Sequence, residues 1–158
     1  MLYAILKAVH LLGVIVWVGG MFFMLACLRP AASALEPPLR VKLMHETMRR
    51  FFSVVSAVVV VLLASGAAML GMAAREATRT GLAFNMPLDW YAMTAIFVVM
   101  VVVFAHVRLA LFRRLERAIR NEAWPVAGAV LNAIRWEVLL NLVLGSFVVV
   151  LVRLGGNV

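Results

Sequence analysis

Three observations predict an all-α fold, an integral membrane four-helix antiparallel bundle. The chain is 66% hydrophobic and 14% charged, with a mean hydropathy of +1.06. No water-soluble globule could hide that much apolar surface. Four stretches, at about 3–28, 51–73, 89–112 and 130–152, reach the roughly 20 apolar residues that cross hydrocarbon. The basic residues gather in alternate gaps between them. Of the 15 lysines and arginines, 11 lie on the side of the first and third connections, and only Lys7, Arg75, Arg79 and Arg153 lie on the other. By the positive-inside rule both termini face away from the cytoplasm, which in a bacterial inner membrane makes them periplasmic.

The elements follow in order as one transmembrane domain, residues 1–158. The first span contains Lys7, an apolar run and Leu25-Ala26-Cys27, a loose match to a lipoprotein cleavage signal. Met24 and Leu25 fit that signal poorly, so the segment is read as a retained helix. Pro37-Pro38 close a linker, RPAASALEPP, and start a second helix over about 39–74, whose opening turns from Leu39 to Arg50 are amphipathic. The third helix, about 89–120, carries Arg113, Arg114, Arg117 and Arg120 beyond the bilayer as a cytoplasmic extension. Asn121 to Pro125 break the chain, and Pro125 suits the first turn of the fourth helix, about 126–154. The formal charge of +8 would suit nucleic acid. Its carriers sit between spans, however, where they set topology and meet anionic lipid, so the expected partner is the lipid bilayer and no nucleic acid. Cys27 is the single cysteine, which excludes an internal disulfide.

Within the first span the unusual residues share a face. At about 100° per residue, His10, Gly13, Trp17, Met21 and Met24 fall within an arc of roughly 80°. Lipid offers an imidazole no partner, so this arc must face protein or a bound group, and the first helix must be central. The soft ligands fall into two groups along the bundle. His10, Met69, Met72, Met86 and Met93 lie toward the outer surface; Met21, Met24, Cys27, Met44, His45 and Met48 lie toward the inner one, with Met100 between. Thioether, thiolate and imidazole favour Cu(I) over hard cations, and a ladder of weak sites is what passage of an ion requires. Methionine is also an ordinary filler of apolar packing.

His10 and His106 lie at different depths, so spacing gives no clean pair of axial histidines for one haem. His106 shares a face with Arg113 and Arg117, which suits a lipid phosphate or a haem propionate; a hydrogen bond to a neighbouring helix is the plainer alternative. Glu137 and Asn141 form a polar stripe in the fourth span. A carboxylate at that depth costs on the order of 3 kcal/mol and needs a partner. The expectation is a structural pair with an arginine near the boundary, such as Arg49, Arg50 or Arg108, ahead of a proton or metal relay. Trp90, Tyr91 and Trp136 read as interfacial anchors, and Gly13, Gly19, Gly20, Gly66 and Gly71 as points of close helix approach. No hydrolase, kinase, nucleotide-binding or zinc-protease motif is present.

These residues carry a resemblance. His10, Trp17-Val18-Gly19-Gly20 and Leu28-Arg29-Pro30 in the first span, with Arg135-Trp136-Glu137 in the last, resemble the copper-resistance D (CopD) family of bacterial inner-membrane proteins. That resemblance implies copper uptake or handling and makes His10 the first residue to suspect. The chain is also similar to the HemJ type of haem-dependent protoporphyrinogen oxidase, through Lys7, His10, Trp17 and Gly20, then Trp90 and His106, then Arg135 with Glu137. In that family the histidine matching His10 is implicated in haem binding. A lysine expected in its third helix is absent, and Met93 and Thr94 stand there instead.

Two functional expectations follow. In the first, a multi-pass protein of the bacterial inner membrane handles Cu(I): the ion meets His10 with Met69, Met72 or Met93, leaves past Met21, Met24 and Cys27, and is exchanged with a periplasmic copper-binding protein. In the second, haem b is bound with His10 as axial ligand, Trp17 against the macrocycle and His106 near the propionates, serving an oxidoreductase with a quinone or other electron-transfer partner. Homo-oligomerisation is open in both.

Overall fold

The computed structural model describes residues 1–81 and 83–155, and every regular element among them is helical. Four helices are long and apolar enough to cross a membrane: α1 Leu2–Ala32, α2 Pro37–Arg79, α3 Leu88–Arg120 and α4 Trp124–Gly155. Such apolar runs fold as helices because hydrocarbon offers no partner to a backbone N–H or C=O left outside the segment. α1 packs along α2 and α3 along α4 as two hairpins, and α4 reaches across to both α1 and α2.

The breaks fall where backbone chemistry puts them. Pro37 opens α2 after an extended Glu36, at a position where a missing N–H costs nothing. Between α3 and α4 the chain reverses through Glu122, whose φ of 52° is left-handed, and Pro125 lies in the first turn of α4. The linker expected from Arg29 is shorter than its composition suggested, because Arg29–Ala32 continues α1. Pro30 should crowd the carbonyl four residues back. The turn before it, Met24–Leu28, is π-helical, and its wider winding makes room. The Ser33 hydroxyl then donates to the Pro30 carbonyl at 2.6 Å near the end of the helix.

Helix α2 has 43 residues and is about 64 Å long, roughly twice the hydrocarbon thickness. Its opening turns therefore stand outside the bilayer, with the end of α3 and the start of α4. There Val41, Met44 and Met48 of α2 bury against Phe112, Leu115 and Ala118 of α3 and Ala127, Val130 and Ile134 of α4. Arg113, Arg114, Arg117 and Arg120 lie exposed around that buried stripe, as an amphipathic extension requires. A second cluster lies deeper in the bundle: Trp17, Met21, Val55, Val59, Leu62 and Met100. Rings join the two clusters. Trp17 meets Phe104 edge-on, Phe104 meets Phe52, Phe52 meets Phe112, and Phe112 stacks on His45.

The two glycines of the Gly19–Gly20 pair do different things. A Cβ on Gly20 would overlap the ring edge of Phe51 on α2, whereas one on Gly19 would meet nothing. Gly20→Val is expected to destabilise the bundle by about 1–3 kcal/mol, as overpacking does. Gly19→Val should stay within about 0.5 kcal/mol. Thermal midpoints in detergent measure both, and equal midpoints would mean that Phe51 swings aside freely.

Candidate functional site

The depth of each side chain is set by Trp17. Helices α1 and α3 run in the same direction, both passing from the deeper cluster toward the basic end. The Trp17 ring lies 6.1 Å from that of Phe97 and 6.0 Å from that of Phe104, so it is level with about residue 100 of α3. Equal rise along parallel helices then brings His10, seven residues before Trp17, level with Met93.

His10 is half-buried between α1 and α2. Its Nδ1 is 2.8 Å from the hydroxyl of Ser65, which is itself 2.6 Å from the Val61 carbonyl and 3.3 Å from that of Leu62. A serine hydroxyl has one hydrogen, and here it goes to the helix carbonyl. Ser65 can then only accept from His10 Nδ1–H, and the neutral imidazole with that proton has its lone pair on Nε2. The imidazole lies against α2 at Gly66, where an added Cβ would be in ordinary contact, 3.6 Å from His10 Cε1. Met69 follows Ser65 by one helical turn and Met72 by two, on the same face of α2. Met69, Met72 and Met93 are all half-buried. Three helices thus bring His10, Met69 and Met93 to the outer end of the bundle.

The remaining methionines continue inward. Met21 and Met100 are buried beside Trp17, and Met24, Met44 and Met48 are buried in the cluster beyond. Every methionine after Met1 is buried or half-buried, while Leu12, Ile15, Val60, Val102 and Val143 cover the outer surface. Methionine is therefore not serving as generic lipid-facing bulk. Cys27 is exposed, so it does not join Met21 and Met24 at an inner exit; its angle lies outside their arc. Trp17 is 2% exposed and meets the rings of Phe97 and Phe104 edge-on.

The expected pair of Glu137 with Arg49 does not form. Arg49 and Arg50 both bond Glu46 on their own helix, at 2.7 and 3.1 Å. The Glu137 carboxylate is 2.9 Å from His106 Nδ1, and Asn141 Nδ2 donates to the Met100 carbonyl at 3.1 Å. The reason is the pairing of helices: α4 lies along α3, so its polar stripe finds partners there, while Arg49 is on an exposed face of α2. His106 lies 13 residues beyond Met93, about 20 Å deeper than His10, too far for both to reach one iron. Ser65 is the site residue that sequence reasoning passed over. Its signal was a hydroxyl within an otherwise apolar run, VVVVLLASGAAML.

A helical bundle of four spanning segments, tied internally by side-chain hydrogen bonds between helices, is a multi-pass membrane protein. Over residues 45–154 the sequence matches CopD, Copper resistance protein D, and the chain belongs to that family of copper-resistance membrane proteins. The match begins at His45, so α1 with His10 and Trp17 precedes it. No curated protein and no solved structure matches the chain.

A double-mutant cycle distinguishes the two partners of Glu137. Coupling between His106 and Glu137 is expected at about 1 kcal/mol, the scale of a hydrogen bond, from unfolding of the His106→Ala, Glu137→Ala and double variants. The same cycle with Arg49→Ala should give none.

Proposed function

We propose that the protein binds Cu(I) at the outer end of the bundle, through His10 Nε2 and the thioethers of Met69 and Met93, and passes it inward along the buried methionines. The observation that carries this reading is the hydrogen bond from His10 Nδ1 to Ser65, which holds the imidazole and leaves its other nitrogen free to ligate. A metal-binding histidine commonly donates its second ring nitrogen in this way. Family membership supports copper as the cargo, and the donor chemistry suits the monovalent ion: imidazole and thioether are soft and neutral. Neutral donors leave the charge of the ion uncancelled, so each site binds weakly enough to release it. Met21 and Met100, then Met24, Met44 and Met48, offer thioethers at successive depths. With the outer end periplasmic, as the distribution of basic residues implies, this path leads toward the cytoplasm of a bacterial inner membrane.

Competition with a chromophoric Cu(I) chelator, on purified protein in detergent, measures the proposed site. His10→Ala should abolish tight binding. Ser65→Ala should weaken it by about 10- to 100-fold, as loss of an orienting partner does. Met69→Leu with Met93→Leu should weaken it while leaving the thermal midpoint close to wild type. Wild-type protein that holds Cu(I) no better than His10→Ala would remove the reading. A Soret band that survives purification and disappears in His10→Ala would assign the same nitrogen to haem iron instead.

A further inference from the structure

At the basic end of the bundle Arg29 of α1 stands between two cavities. One, of about 300 Å³, is shared with Arg40 of α2; the other, of about 310 Å³, is shared with Arg135 of α4. Arg29 is half-buried, whereas Arg135 is exposed. None of the three has a carboxylate partner among the described residues, where the ion pairs join Glu46 to Arg49 and Arg50, Glu116 to His45, and Glu137 to His106. Arg29 makes only long contacts to α4, at 3.3 Å to the Leu131 carbonyl and 3.5 Å to Asn132 Oδ1. Arg29 thus meets one guanidinium in each cavity, Arg40 of α2 in the first and Arg135 of α4 in the second.

We propose that Arg29 and Arg135, in the second cavity, bind the phosphate of an anionic phospholipid. Guanidinium forks match phosphate oxygens two at a time, and an anion between them relieves their mutual repulsion. The walls select lipid over a free anion. Leu25 precedes Arg29 by one turn and Leu139 follows Arg135 by one turn, so both line the second cavity on its hydrocarbon side. A phosphodiester held at the arginines would lay its acyl chains along those leucines, a surface that inorganic phosphate leaves bare. Arg135 is also steadied from behind, its guanidinium 5.4 Å from the Trp136 ring centre. Arg29 and Arg135 belong to the Leu28-Arg29-Pro30 and Arg135-Trp136-Glu137 runs, so the site accounts for basic residues that the copper path leaves unused.

The test is spin-label lipid selectivity in nanodiscs containing the full-length protein. Spin-labelled phosphatidylglycerol should show a motionally restricted fraction about fivefold richer than spin-labelled phosphatidylcholine, the scale of one basic contact at a membrane surface. The preference should vanish in R29Q/R135Q and persist in R113Q/R117Q, which removes the same charge from the exposed face of α3. Matched thermal midpoints show that the variants are folded. Equal retention of the two lipids by the wild type would overturn the proposal. So would an equal loss in both double variants, which marks bulk charge, or displacement of the labelled lipid by millimolar inorganic phosphate, which marks a free-anion site.

Discussion

The register of the two hairpins rests on one buried indole. Helices in lipid gain little from hiding apolar surface against one another, so shape has to align them. Trp17 projects from α1 between two successive rings of α3, Phe97 and Phe104, and is almost wholly enclosed. Sliding α1 along its axis would push the indole into one ring and open a void beside the other, and both outcomes cost energy. Opposite this wide side chain α4 comes close through Gly145, where a Cβ would lie 2.9 Å from Val18 and 3.1 Å from Met100. A large group on one helix and none on another thus define a single depth alignment. That alignment brings His10 level with Met93 and Met21 beside Met100.

Three polar side chains inside the bundle each hydrogen-bond within it. Ser65 gives its hydrogen to its own helix, Asn141 reaches the Met100 carbonyl, and Glu137 holds His106. The two membrane histidines are therefore fastened alike, each through Nδ1. Their surroundings separate them. His106 has more than half of its side chain exposed, beside a carboxylate, whereas His10 lies at the depth of the half-buried methionines of the outer end. A soft monovalent ion would be better served by the second environment, because thioether sulfur is polarisable and carboxylate oxygen is hard.

The four helices and the inward arc of α1 were legible because hydropathy and the 3.6-residue period are backbone-level constraints. Gly13, Trp17, Met21 and Met24 are all buried, as a constant angle per residue requires. The partner of Glu137 was not legible. Its depth said that a partner was needed, but choosing between Arg49 and His106 needs the side-by-side order of helices, which depth alone does not contain. The course of α1 past Leu28 escaped for another reason. Pro30 reads as a terminator, and only the π turn at Met24–Leu28 lets the helix continue and carry Arg29 to Arg135 and Arg40. Ser65 escaped because a serine in a membrane helix usually does no more than bond its own backbone, which it does here as well.

The gradient of burial along the methionine line bears on how an ion would travel it. At the outer end Met69, Met72 and Met93 are half-exposed, and the proposed path would begin there. Beyond them Met21 and Met100 are closed over, at 2% and 4% exposure, within the cluster that Trp17 anchors. Passage along the proposed path would require side chains to turn at that level while the backbone holds its register. Methionine suits this demand: its unbranched chain changes rotamer within a fixed envelope, and its sulfur can exchange a packing contact for a ligand bond. Leucine in the same positions would fill the space equally well and offer the ion nothing. The fixed indole and the adaptable thioethers therefore divide the work at the centre of the bundle, one holding the helices in alignment and the other leaving the interior deformable.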